Sequence, residues 1–338
     1  MKDSLVDVSV LMLFFNRPEP LKKVFEQVQR ARPARLFLYQ DGPRSEADMP
    51  GIMACRQVVS AIDWDCEVHQ CYQPTNYGCD PSGFMSQQWA FSMTDKCIVL
   101  EDDVVPSPTF FTFCKEMLDR YEHDERVGMI AGFNTDERTP DVSDDYFFTT
   151  NFSIWGWASW SRVIGKRSAD YAFLDDAEAM SRLQALTEER KLRRDFLPMC
   201  QAHRLSGKAY FETIFQSQLL LQSQMTIVPR VNMINNVGVT DDSTHFAGSI
   251  STLPHGYRRI FTMGRYDLEF PLKHPRYVVE HVEYRHRVYR TMGWRSPWIK
   301  VGRSLEELYL NVKHGNWAFI AQSVRNRIRK WMGKTAYR

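Results

Sequence analysis

The sequence predicts an α/β protein with a Rossmann-like, mostly parallel sheet flanked by helices. Three observations predict it. Strand-length apolar runs alternate with helix-spaced segments over residues 8–103, the pattern of a doubly wound sheet. Most of those runs are apolar throughout, as strands buried on both faces are. The fourth, Cys97-Ile98-Val99-Leu100, opens directly onto Glu101-Asp102-Asp103, so three acids stand at a strand's carboxyl end, where open α/β sheets bind ligands.

Val8–Phe15 (VSVLMLFF) is the first strand and ends in Asn16-Arg17-Pro18. Residues 20–30 have helical spacing, with Leu21, Val24, Phe25 and Val28 on one face. Arg35–Gln40 is the second strand and stops at Asp41-Gly42-Pro43. Gly51–Ile62 is read as a helix and Cys66–Cys71, which alternates, as the third strand. Asn76-Tyr77-Gly78 follows, then a helix over Gly83–Met93 and the acid-bearing strand Lys96–Leu100. Pro106 and Pro108 interrupt the chain before a helix over Thr109–Tyr121 and a buried strand over Val127–Gly132. Thr135–Asp145 is a polar, acid-rich loop, and Trp155–Trp160 an aromatic cluster. Ala177–Arg194 is read as a charged, exposed helix. A helix over Ile214–Ser223, a strand over Thr226–Val231 and a polar loop over Asn235–Phe246 complete the body.

At 338 residues the chain suffices for one large domain with an appendage, or for two domains. The net charge of +2 conceals an asymmetry. Residues 1–250 carry 25 Lys/Arg against 35 Asp/Glu, and residues 251–338 carry 18 against 6. A basic tail on an acidic body points to an anionic surface partner. The boundary is accordingly drawn at 250, with a nucleotide-binding domain before it and a basic, helix-rich extension after it. In that extension Trp317, Ile320, Ala321, Val324, Ile328 and Trp331 recur at spacings of 3 and 4 among arginines, which describes a basic amphipathic helix. Three readings of the tail stay open: an anionic membrane surface, a partner helix, or a solvated basic face. Nucleic acid is disfavoured, since no recognised binding motif accompanies the charge.

Seven cysteines without a C-x-x-C pair suit a reduced, cytoplasmic protein. The amino terminus does not read as a signal peptide, and no apolar run approaches membrane-spanning length. The expected location is the cytoplasm, with peripheral attachment to the inner face of the membrane if the tail binds lipid.

The chemistry centres on the acids. Clustered carboxylates are costly to bury unpaired, and a hard divalent cation, Mg²⁺ or Mn²⁺, removes that cost. Held by few protein ligands, such a cation completes its shell with substrate phosphates, so the run suggests a phosphorylated substrate such as a nucleotide-sugar. A solvated acidic turn is the simpler alternative. The first turn, NRPEPL, is neither G-x-G-x-x-G nor a P-loop, which argues against a dinucleotide-dependent dehydrogenase and a P-loop ATPase. Asp41, at the end of the second strand, can bind a base N–H or a ribose hydroxyl, or simply make a turn.

Taken in order, NRP after strand one, QDG after strand two, and EDDVVPSPTFF after strand four resemble a GT-A-fold glycosyltransferase. The chain is most similar to the N-acetylglucosaminyltransferase I group and related bacterial sugar transferases. The resemblance covers residues 8–135 well, weakens through 155–245, where GWASW and Thr244-His245 still carry some of it, and stops before the tail. It implies that Asp103 binds the metal directly, with Asp102 and Glu101 contacting the ribose and a bound water or orienting the ligand. It implies that Asp41 reads uracil or ribose, that Asn16, Arg17 and Pro18 frame the base, and that Asn76 makes a nucleotide-side contact. It also offers His245 as a late metal or diphosphate ligand.

An inverting transferase needs a general base on the acceptor side. Glu212 is the choice, since it follows a polar loop, opens a helix and is flanked by aromatics that would raise its pKa by desolvation. A first-turn Glu is also favoured by the helix dipole alone. Asp175 and Asp176 are rivals, because the same family places an Asp pair after aromatic residues. Trp155, Trp157 and Trp160 floor the acceptor site or pack the core. The implied activity is metal-dependent transfer from a UDP-sugar to a hydroxyl of a glycan or lipid-linked acceptor, in bacterial surface polysaccharide synthesis. The alternatives are a sugar nucleotidyltransferase and a membrane-associated binding module with a vestigial site.

Overall fold

Strand β1 (Val6–Phe14) is the axis on which the sheet is built, and it is apolar because both its faces are covered. The computed structural model describes residues 2–186, 190–238, 250–294 and 296–331. From β1 the chain winds outward through α1 (Pro18–Ala31), β2 (Pro33–Gln40), α2 (Met49–Val59), β3 (Glu67–Tyr72) and α3 (Cys79–Phe91). It then returns past β1 to β4 (Lys96–Glu101). Strands β1–β2, β1–β4 and β2–β3 all pair in parallel. The order of winding therefore reverses between β1 and β4, and a topological switch point with its crevice lies at their carboxyl ends.

The helices cover the sheet as their spacing requires. α1 starts with a proline in its first turn, buries Leu21, Val24, Phe25 and Val28, and ends with Arg32 in the left-handed region (φ 47°). After the short β5 (Val104–Pro106), α4 (Phe110–Arg120) buries Phe110, Phe113, Cys114 and Met117. β6 (Val127–Ala131), β7 (Tyr146–Thr149), β8 (Trp157–Trp160), α5 (Ser161–Ile164), α6 (Ala177–Leu186), α7 (Arg190–Ser206), α8 (Phe211–Leu221), β9 (Met225–Pro229) and β10 (Ile234–Asn236) follow. The large sheet has eight strands in the order β3-β2-β1-β4-β8-β6-β9-β7, and β10 pairs antiparallel with β5. β4–β8, β6–β8 and β7–β9 are antiparallel, whereas β6–β9 is parallel. The expected α/β class, Rossmann-like with a mostly parallel sheet flanked by helices, is observed.

Three departures have physical causes. β7 is only four residues, Tyr-Phe-Phe-Thr, all buried, and so carries no periodicity. The helix expected over 177–194 is two helices with a packed face: Leu183, Phe196, Leu197 and Cys200 are buried beside Tyr171, Ile214 and Tyr289. The change of composition at 250 does not end the core. Ile260, in α9 (His255–Thr262), and Met263, Leu268 and Leu272 beyond it belong to the same apolar cluster as β1. Tyr284 and Val288 of α10 (Val282–Thr291) pack against Phe147. Only α11 (Pro297–Lys313) and α12 (Trp317–Trp331) stand largely outside it.

Candidate active site

The switch-point crevice brings the turn after β1 against the turn after β4. Arg17, the residue before α1, reaches across with one guanidinium nitrogen to both Asp102 Oδ1 and Asp103 Oδ2, the second contact at 2.9 Å. Burial works against a charged arginine, but the two carboxylates outweigh it and hold Arg17 above its ordinary pKa. Asp102 is buried, which pushes its carboxyl up; Arg17 opposes that rise and the charge on Asp103 adds to it. Burial likewise drives Glu101 well above the usual carboxylate range, with Asp103, Glu212 and Asp102 adding repulsion. Glu212 is thus electrostatically part of the same cluster, although 109 residues separate it from Asp103.

Asp103 Oδ1 is buried and has no hydrogen-bond partner among the described residues. An orphaned carboxylate oxygen is costly unless something binds it. Gly238 closes the other side. A side chain there would place Cβ 2.0 Å from Asp103 Oδ2, and Val237 N–H donates to the Asp103 carbonyl at 2.8 Å. His245 lies outside the described residues. Among those residues no three His, Cys, Asp or Glu side chains form a metal-binding group. A hard cation bound through Asp103 and otherwise through water and phosphate oxygens fits that donor set; a cation held only by protein does not.

The other strand end is differently built. Asp41 is buried and accepts hydrogen bonds from the backbone N–H of Gly42, Tyr77 and Gly78 and from Asn76 Nδ2, each at 2.9 Å. A carboxylate offers about four acceptor positions, so protein donors fill Asp41. These bonds fasten the 75–78 turn to β2. Asn76 is half of that clamp, donating also to Gly42 O at 2.9 Å. Gly42 is needed because a Cβ there would sit 2.5 Å from the Thr75 backbone. Asn16 Nδ2 donates to Asp48 Oδ1 at 2.8 Å, and Pro18 opens α1. Asp48 also binds Arg44, whose guanidinium lies 5.0 Å from the centre of the Phe15 ring. Sequence reasoning missed Phe15, Arg44 and Asp48: Arg44 and Asp48 form a local i,i+4 pair, but the contact of Asp48 with Asn16 spans 32 residues and no local pattern marks it.

Beyond the acids lies a cavity of about 270 Å³ lined by Phe133, Phe152, Trp155, Glu212, Gln216 and Tyr257 among others. Trp155 is packed edge-on to Phe133 (4.9 Å) and tilted against Phe261 (5.3 Å). Glu212 sits in the first turn of α8. That turn is held by Thr213 Oγ1, which bonds Tyr171 Oη at 2.7 Å and His203 Nδ1 at 2.9 Å; burial lowers the pKa of His203. Of the three tryptophans expected at the acceptor, only Trp155 lines the cavity. Trp157 and Trp160 are core residues, since β8 lies inside the sheet with both faces covered. Asp175 and Asp176 are exposed and occupied elsewhere. Asp175 pairs with Arg204 at 2.6 and 2.8 Å, and Asp176 accepts the N–H groups of Glu178 and Ala179 at the start of α6.

No protein-family model matches the chain, and no curated protein matches it either. Among solved structures it is similar to the inositol-1-phosphate CTP transferase from T. maritima, with 10% identity, 78% of this chain and 99% of that one covered, and a TM-score of 0.36. It is similar to mouse xyloside xylosyltransferase 1 in its apo form, with 12% identity, 64% and 81% covered, and a TM-score of 0.33. It is also similar to the 4-diphosphocytidyl-2C-methyl-D-erythritol synthase from Anaerococcus prevotii, with 10% identity, 51% and 77% covered, and a TM-score of 0.29. Likenesses this low carry no argument about activity.

Proposed function

We propose that the protein is a glycosyltransferase that moves a sugar from a nucleotide-sugar, UDP-linked, to a hydroxyl of a glycan or lipid-linked acceptor, with inversion at the anomeric carbon. The observation that carries the reading is the adjacency of two unlike halves of one crevice. On one side Asp103 presents a buried oxygen with no partner among the described residues, beside Arg17. On the other, Glu212 stands in an aromatic-walled cavity. Sugars present apolar faces to aromatic rings and hydroxyls to acids, and ligand pockets are lined mostly by apolar and aromatic side chains with a few polar groups, as this one is. The more specific likeness to the N-acetylglucosaminyltransferase I group, and a place in surface polysaccharide synthesis, rest on the sequence motifs alone.

In this reading the acceptor hydroxyl oxygen forms the new bond to the anomeric carbon as the carbon–oxygen bond to the diphosphate breaks. The nucleoside diphosphate leaves with that electron pair, and the hydroxyl proton passes to the Glu212 carboxylate. Arg17 places positive charge at the departing phosphates. A divalent cation, Mn²⁺ or Mg²⁺, held by Asp103 Oδ1 would supply further charge stabilisation to the leaving group. The saturated Asp41 clamp fixes the floor of the nucleotide side without contacting the nucleotide.

The lining of the cavity favours sugar transfer over nucleotidyl transfer. A sugar-phosphate acceptor brings a nucleophile already ionised at neutral pH, which needs a cation and no base. The described residues lining this cavity include one acid and no Lys or Arg. Calorimetric titration of UDP and GDP, each with Mn²⁺ and with EDTA, tests the proposal. UDP binding that disappears with EDTA is expected. Absence of binding by either nucleotide would overturn the reading.

A further inference from the structure

Helices α11 and α12 close the described chain as a hairpin whose apolar stripes face outward. α11 is anchored by its polar side. The His255 backbone N–H donates to Glu306 at 2.8 Å, Lys300 pairs with Asp195 at 3.2 Å, and the Arg303 guanidinium lies 4.1 Å from the centre of the Tyr257 ring. On the opposite side Trp298, Val301, Leu305, Leu308 and Val312 succeed one another at spacings of 3 and 4, between 44% and 77% exposed. α12 extends the surface with Trp317, Val324 and Ile328, each about half exposed or more. A helix docked on a protein core buries such a stripe; here the docked side is the polar one.

The charge around this surface is positive beyond Glu306, which binds the His255 N–H, and Glu307. From Leu308 to Arg338 the sequence contains seven Lys/Arg and no Asp or Glu. We propose that the α11–α12 hairpin docks the protein onto an anionic lipid bilayer, with both helices lying in the headgroup plane, Trp298 and Trp317 at the interface and the exposed Lys313 and Arg325 against lipid phosphates. Apolar stripes rich in Trp and Leu beside a basic face are what interfacial helices use. A second copy of the chain is a poorer occupant, because a two-fold interface sets each basic face against its own duplicate. No described helix is long and apolar enough to cross a membrane, so the helices lie on the bilayer rather than span it. This proposal is independent of the transferase reading.

Sedimentation of the full-length protein with vesicles of phosphatidylcholine, alone or mixed with phosphatidylglycerol, tests it. Binding only to the mixed vesicles is expected, weakened by added salt. Leu305→Asp should reduce it roughly tenfold or more, and Arg325→Glu, a charge reversal on an exposed position, severalfold. Both variants should keep the wild-type melting temperature, since neither side chain is buried. Failure of the wild type to bind phosphatidylglycerol vesicles would overturn the proposal, as would binding undiminished in both variants. A wild-type dimer in light scattering that Leu305→Asp splits would also overturn it, identifying the face as a self-interface.

Discussion

Two acidic strand ends, at β2 and β4, face the same crevice and are finished in opposite ways. Asp41, after β2, is filled by four protein donors. Asp103, after β4, gives one oxygen to Arg17 and leaves the other buried without a partner among the described residues. A filled carboxylate holds the fold, and an unfilled one is held ready for something else. The difference teaches that the acid type at a strand end says little by itself; the supply of donors around it decides its role.

The largest effect that would test this contrast is at Asp103. Asp103→Asn should abolish EDTA-sensitive UDP binding and lower kcat/KM by about 10⁴-fold, several kcal/mol of leaving-group stabilisation, while leaving the melting temperature unchanged or raised. It should also flatten the pH dependence of stability in metal-free protein. Glu101 and Asp102 hold their protons more tightly folded than unfolded. Their contribution therefore favours the fold at low pH and is lost as pH rises through their folded values. Removing the Asp103 charge relieves one cause of that shift. A wild-type pH–stability curve in the variant, or UDP binding that persists, would erase the distinction between the two strand ends.

Glu212→Gln comes next. It should cut kcat about a thousandfold with UDP affinity largely kept, because Glu212 lines the cavity and bears on the acids after β4 through its charge, while Asp103 Oδ1 stays in place. Asp41→Ala is the converse experiment. It should lower stability by about 3 kcal/mol by stranding buried N–H donors, seen as a shifted denaturant midpoint at constant m. Its effect on UDP binding should follow from that loosening alone. A variant of full stability that has lost UDP would restore Asp41 to the nucleotide.

These outcomes bear on how much of the molecule could be read from its residues. The winding of β1 through β4 was legible, because each buried strand is a short apolar run and each helix shows its buried face at spacings of 3 and 4. The placement of the candidate residues was legible where it is local: Asp103 stands just past its strand, and Glu212 opens its helix beside aromatic residues. The filling of Asp41 was not, since its donors are backbone amides 36 and 37 residues away, and any residue type supplies those. For Trp157 and Trp160 the residues left two readings open, acceptor floor or core, for a related reason. Their composition suits a sugar platform, but β8 is hydrogen-bonded between β4 and β6, and placement inside a sheet is a property of topology. The reach of Arg17 to β4 is also non-local, and only the switch point brings the two turns together.

The smallest expected effects separate Glu212 from its rivals. Asp176 accepts two N–H groups at the start of α6, so Asp176→Ala should cost about 1 kcal/mol of stability, the usual worth of such a cap, and leave kcat alone. Asp175 meets Arg204 on the open surface, where ion pairs contribute little and salt screens them; Asp175→Ala should change neither stability nor kcat measurably. Neither carboxylate lines the cavity: one holds a helix end, the other a surface arginine. If Asp176→Ala kept its melting temperature and lost turnover, the base would belong on the α6 side of the crevice. The aromatic cavity around Glu212 would then be a binding wall rather than the place where the acceptor gives up its proton.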